Sequence, residues 1–166
     1  MGVCKLVDAV LFIYFLFMAI STMLFHSDIF LPSHFFPNFL MEAKSWYLRE
    51  YEDYLFIEKP HFLVGLVGVE LLVQWPLSVA NVYAIIAKKY WYSTTCLIQG
   101  VSTFTSMAAI LLELIGSKKA SNKLLMIYYP FLPLSLVLVL RGLVPVTRNT
   151  KVTKATREAV EGKKRI

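Results

Sequence analysis

Glu70 stands inside a long apolar run with no charged neighbour nearby in sequence. A charged side chain at the centre of a membrane span costs about 2.5–3.5 kcal/mol on insertion scales, so an acid there marks a functional site by default. Gln74 follows by four residues, so on a helix both side chains share a face. Pro76 then opens the helix locally and frees a backbone carbonyl. Asn81 returns to nearly the same face. Acid, amide and open backbone make a polar stripe suited to one polar group of a ligand. For Gln74 and Asn81, bridging between neighbouring helices is an equally good use. Burial disfavours the charged form of Glu70, which therefore calls for a proton or a cationic partner.

Other polar residues carry less. Gln99, Ser102, Thr103, Thr105 and Ser106 suit a helix-packing interface. Tyr128-Tyr129-Pro130-Phe131, followed by Pro133, predicts a kink. Arg141 is expected to snorkel to the membrane surface. Spacing alone assigns no role to His26 and Asp28, after a first apolar run, or to Asp53 in the loop that follows. No Gly-rich phosphate loop, G-x-S-x-G, H-E-x-x-H or clustered Cys/His set occurs. Hydrolase, NTPase and metalloenzyme readings therefore lack support, and no metal or cofactor is expected.

These residues need elements to hold them. Apolar runs cover about Val7–His26, His61–Ala87, Trp91–Ile115 and Leu124–Val146. Each reaches the roughly 20 residues needed to cross a bilayer as a helix. Backbone groups in hydrocarbon must be satisfied internally, which favours helices over strands. The first run is longer than a signal-peptide core and lacks an A-x-A-like end, so it reads as a retained helix. Between the first two runs, Pro32 and Pro37 break the chain. Phe39, Leu40, Ala43, Trp46, Tyr47 and Tyr51 then recur at helical spacing, predicting an amphipathic helix over about 39–52. The expected fold is all-α: a four-transmembrane-helix bundle with a short amphipathic helix in the first loop.

Composition agrees. The chain has 166 residues, 57% hydrophobic and 17% charged, against about 45–50% and 25% in soluble domains. Disorder is excluded and a soluble globule disfavoured. Cys4 and Cys96 cannot form a disulfide scaffold. Residues 1–147 carry ten Lys/Arg and nine Asp/Glu, whereas residues 148–166 carry seven and two. The division predicts a membrane domain over 1–147 and a basic tail over 148–166. Beside so apolar a body, the tail suits a cytoplasmic membrane flank rather than nucleic acid. With four spans the positive-inside rule places both termini in the cytoplasm. Lys163 and Lys164 stand fourth and third from the end. That placement matches a dilysine retrieval signal of the endoplasmic reticulum, an address and not an anchor.

Taken in order, the four runs, the acidic aromatic loop, Glu70-Leu71-Leu72-Val73-Gln74-Trp75-Pro76, Tyr128-Tyr129-Pro130-Phe131 and the dilysine-like end resemble the EXPERA superfamily. That superfamily includes sigma-2-type receptors and emopamil-binding sterol isomerases. The resemblance covers about residues 6–146, and VDAVLFIYFLFMAIS resembles the opening of plant members. It implies an occluded pocket for sterols and amphipathic cationic amines. It also implies that Asp53, Glu70, Gln74 and Tyr128 belong to that pocket. Receptor members end the first span with an amine-pairing acid before Leu-Pro. Counting back from Leu31-Pro32 places His26 there, with Asp28 two residues on, and both stay open. Isomerase members carry a His in this region and a Glu one turn later, where this chain has Phe30, so the isomerase set is incomplete.

The expected function is sterol or amphipathic-amine binding in an endoplasmic-reticulum membrane, with an influence on sterol distribution. A sterol-transport partner and a homodimer are further expectations. The alternative is a sterol Δ8-Δ7 isomerase in which His26 and Glu70 move protons on opposite faces of the sterol.

Overall fold

The computed structural model describes residues 2–26, 29 and 36–144. Among these, the α-helices are α1 (Gly2–Ser21), α2 (Asn38–Tyr51), α3 (Tyr54–Glu58), α4 (His61–Val69), α5 (Trp75–Ile86), α6 (Tyr92–Ser117), α7 (Asn122–Tyr128) and α8 (Phe131–Leu143). A π-helical turn, Thr22–His26, extends α1, and a second, Glu70–Gln74, joins α4 to α5. Four stretches are long and apolar enough to cross a membrane: Lys5–His26, His61–Ile86, Tyr92–Ser117 and Asn122–Leu143. The described residues contain no strand. The chain is an all-α, multi-pass membrane protein. Its outward faces suit lipid, with Leu72 80%, Met126 75% and Leu112 72% exposed.

Local chemistry sets the boundaries. Pro37 and Pro60 hold extended backbone just before α2 and α4. Ser121 caps α7 by accepting from the Leu124 N–H, and Asp53 caps α3 by accepting from the Leu55 N–H. Pro76 lacks an N–H, and its ring crowds the carbonyl one turn back. The second span absorbs this by widening: the Trp75 N–H reaches the Glu70 carbonyl, five residues back. The span therefore stays continuous through the turn that carries Glu70 and Gln74. In the fourth span, where a kink is expected, the α-helix is interrupted at Tyr129-Pro130, between α7 and α8, with both residues in right-handed helical backbone.

The helices pack around two apolar clusters. One joins Leu11, Tyr14 and Phe15 of α1 to Ala84, Cys96 and Leu138. The other joins Leu55 of α3 to Leu63, Val67, Ile110, Leu114 and Leu124. α6 packs chiefly on α8, and α1 on α5. The α6–α8 approach depends on glycine. A Cβ at Gly142 would lie 2.6 Å from Leu97 Cα, and one at Gly100 would lie 2.8 Å from Leu138 Cβ. Small residues let membrane helices come this close and gain dispersion contact where no hydrophobic drive between helices exists.

Arg141 departs from expectation. Its Nε donates to Asp8 Oδ1 at 2.6 Å and its Nη2 to Asp8 Oδ2 at 3.2 Å. It does not simply snorkel outward, because an acid on α1 offers a bidentate partner. The pair ties the start of the first span to the end of the fourth.

Candidate functional site

A cavity of about 370 Å³ opens inside the bundle, within the size range of small-ligand pockets. The first span contributes Phe17, Met18, Ser21, Phe25 and His26 to its wall. α2 and α3 cover it with Ala43, Lys44, Trp46, Tyr47 and Phe56. The second span adds Leu63, Val67, Glu70 and Gln74, and the third adds Thr103, Ser106 and Ile110. The fourth span supplies Ile127, Tyr128 and Phe131. The wall is mainly apolar, with a few convergent polar groups.

Glu70 is the acid of this wall among the described residues. Thr22 Oγ1 donates to its Oε1 at 2.9 Å. His26 Nδ1 stands 2.9 Å from its Oε2. The contact is an ion pair only when the ring is protonated. The imidazole stacks on Phe56 with ring centroids 5.3 Å apart. The π turns thus bring two residues distant in sequence together at the crossing of the first two spans. A carboxylate in so apolar a setting is costly unless neighbouring groups compensate it, and Thr22 and His26 are the groups beside Glu70.

Gln74 lines the cavity and also joins helices. Its Nε2 donates to Ser102 Oγ, and its Oε1 accepts from Thr103 Oγ1, both at 3.1 Å. Asn81 belongs wholly to the interface. Fully buried, it donates to Gln99 Oε1 at 3.0 Å and accepts from Thr95 Oγ1. Gln99 in turn donates to Ser78 Oγ at 2.6 Å. Of the two readings open for the amides, Asn81 takes the bridging one, and Gln74 bridges helices while also lining the cavity.

Asp53 is fully buried and sits behind the wall. Its Oδ2 accepts from Tyr47 at 2.9 Å and from Tyr128 at 2.8 Å. One carboxylate therefore fastens the loop helix α2 to the end of α7 in the fourth span. Burial, then the adjacent Asp53 carboxylate, push the Tyr47 phenol well above its ordinary range, so it remains a donor. Tyr128 faces the cavity with its hydroxyl already engaged by Asp53. Asp28, Lys163 and Lys164 lie outside the described residues.

Sequence reasoning did not single out Thr22, Tyr47 or Phe56 as site residues. Thr22 carried a usable signal, since it precedes His26 by four residues on one helix. The partnership of Tyr47 with Asp53 crosses the α2–α3 turn and has no periodic signature.

A family model described as EXPERA, the expanded EBP superfamily, matches residues 39–142. Over 108 residues the chain is 29% identical to the sigma intracellular receptor 2 of Macaca fascicularis. That stretch covers 64% of this chain and spans 61% of the relative's length.

Proposed function

This chain belongs to the EXPERA superfamily, and on that premise we propose that it holds a sterol or an amphipathic amine in the cavity between its helices. We place it in the endoplasmic-reticulum membrane with cytoplasmic termini, where it influences sterol distribution within the cell. One observation carries the reading: a ligand-sized, largely apolar cavity inside a membrane bundle, with the Glu70–His26 pair in its wall. Apolar walls suit a lipid body, and a few placed polar groups suit its single polar end. Gln74 and Glu70 offer those groups, while Asp53 holds Tyr47 and Tyr128 in place. A sterol-transport protein is a fitting partner for such a holder.

The isomerase reading draws on the same pair, since His26 and Glu70 can exchange a proton. It needs an acid and a base on opposite faces of the sterol. Two groups 2.9 Å apart flank no ring, and this favours binding without chemistry. The test is to incubate the purified protein with a Δ8 sterol, after showing that the sterol binds. Recovery of bound, unchanged sterol is expected. Migration of the double bond would replace the binding reading with the isomerase one.

A further inference from the structure

We propose that the end of the bundle where α1 begins and α8 finishes docks on the headgroups of anionic phospholipids in its own bilayer, with Lys88 and Lys89 as its fixed contacts. The proposal is independent of what the cavity holds.

Charge is divided unevenly between the two ends of the bundle. The Asp8–Arg141 pair joins the start of α1 to the end of α8. The Arg141 guanidinium also lies over the Tyr92 ring, 5.0 Å from its centre, which brings in the start of α6. Residues 1–8, 87–92 and 141–166, which form this end or continue from it in sequence, carry eleven Lys/Arg against three Asp/Glu. Residues 26–60 and 113–123, which belong to the opposite end, carry six against seven. There Lys119 pairs with Glu58 at 2.8 Å and Lys123 with Glu50 at 2.7 Å. At the basic end Arg141 takes up Asp8, and among the described residues no acid lies within ion-pair distance of Lys5, Lys88 or Lys89.

The turn after α5 gives the two lysines a defined base. Lys88 holds left-handed backbone with φ 50°, and the N–H groups of Lys88 and Lys89 donate to the Ile85 and Ala84 carbonyls. Lys89 Nζ stands 5.5 Å from the centre of the Tyr83 ring, which stacks on Trp91. Tyrosine and tryptophan favour the membrane–water interface. This turn therefore sets its ammonium groups at headgroup depth. Beyond α8 the sequence places a base at every third residue, Arg148, Lys151, Lys154 and Arg157, with no acid before Glu158. Basic clusters beside a span attract anionic lipid over about a Debye length. An integral protein keeps this end at the headgroups at all times, whereas a soluble polyanion has to be captured from solution.

The test uses full-length protein in phosphatidylcholine vesicles carrying spin-labelled phosphatidylserine or spin-labelled phosphatidylcholine. The motionally restricted fraction of each label reads its preference for the protein. Wild type is expected to prefer the serine lipid by about threefold or more at low salt, and to lose most of that preference at about 1 M salt, where the screening length is about 3 Å. Lys88→Gln with Lys89→Gln should at least halve the preference. Lys59→Gln with Lys118→Gln removes equal charge from the opposite end and should leave it unchanged. The salt series on wild type answers the question even if a variant fails to fold. No preference for the serine lipid, a preference untouched by salt, or equal effects of the two lysine pairs would overturn the proposal. So would a short RNA that displaces the serine lipid at equimolar amounts, which would name a soluble polyanion as the occupant.

Discussion

At the scale of single residues, Asp53 and Glu70 are two acids with different tasks, the first fully buried and the second half-buried in the cavity wall. Asp53 gathers Tyr47, Tyr128 and the Leu55 N–H, and so fixes the shape of the wall. Removing it leaves buried hydroxyls without an acceptor, and an unsatisfied buried polar group costs about 1–3 kcal/mol. Asp53→Ala is therefore expected to destabilise by about 2–4 kcal/mol, and Tyr128→Phe by about half as much, since Asp53 keeps its other donors. Thermal unfolding in detergent checks the order; a Tyr128→Phe protein less stable than Asp53→Ala would contradict it. Glu70 was legible in the sequence because an acid inside an apolar run is rare enough to stand out. Its partner was not, because His26 meets it only where two spans cross. The resemblance placed His26 near the pocket, and the geometry gave it a carboxylate to face.

At the scale of elements, hydropathy alone located the four spans within a few residues, because a bilayer demands long apolar helices. The amphipathic helix expected over 39–52 is α2, Asn38–Tyr51. The five-residue α3 escaped notice because it is held by a cap and by packing, with too few turns for a period to show. The widening at Glu70–Gln74 also escaped notice. Pro76 announced a disturbance, but only the packed helix decides between a kink and a π turn. Glycine packing yields an expected contrast. Gly142→Ala drives a Cβ into Leu97 backbone and should cost about 1–3 kcal/mol. Gly65→Ala meets open space within α4 and should be neutral or stabilising by up to about 1 kcal/mol. Equal melting temperatures for the two variants would contradict the close α6–α8 contact.

At the scale of the whole molecule, the Asp8–Arg141 pair puts the start of the first span and the end of the fourth on one side. The proposed topology makes that side cytoplasmic. A glycosylation acceptor inserted after Lys118 should then be glycosylated in microsomes, and one placed in the tail should not. The reverse pattern would invert the topology. The proposed retrieval signal predicts that Lys163→Ser with Lys164→Ser releases the protein from the reticulum to later compartments. An unchanged reticular pattern would count against it.

Whether the bundle holds a lipid in its cavity is read most directly from what the protein carries. Full-length protein would be purified from membranes in mild detergent, beside Ser106→Phe, which fills the cavity from α6. The lipid bound to each would then be extracted and quantified. Wild type should retain close to one sterol-like lipid per chain, and the equally folded variant should retain little. Equal lipid in both, or no lipid on a folded wild type that also takes up none when sterol is supplied, would contradict the account.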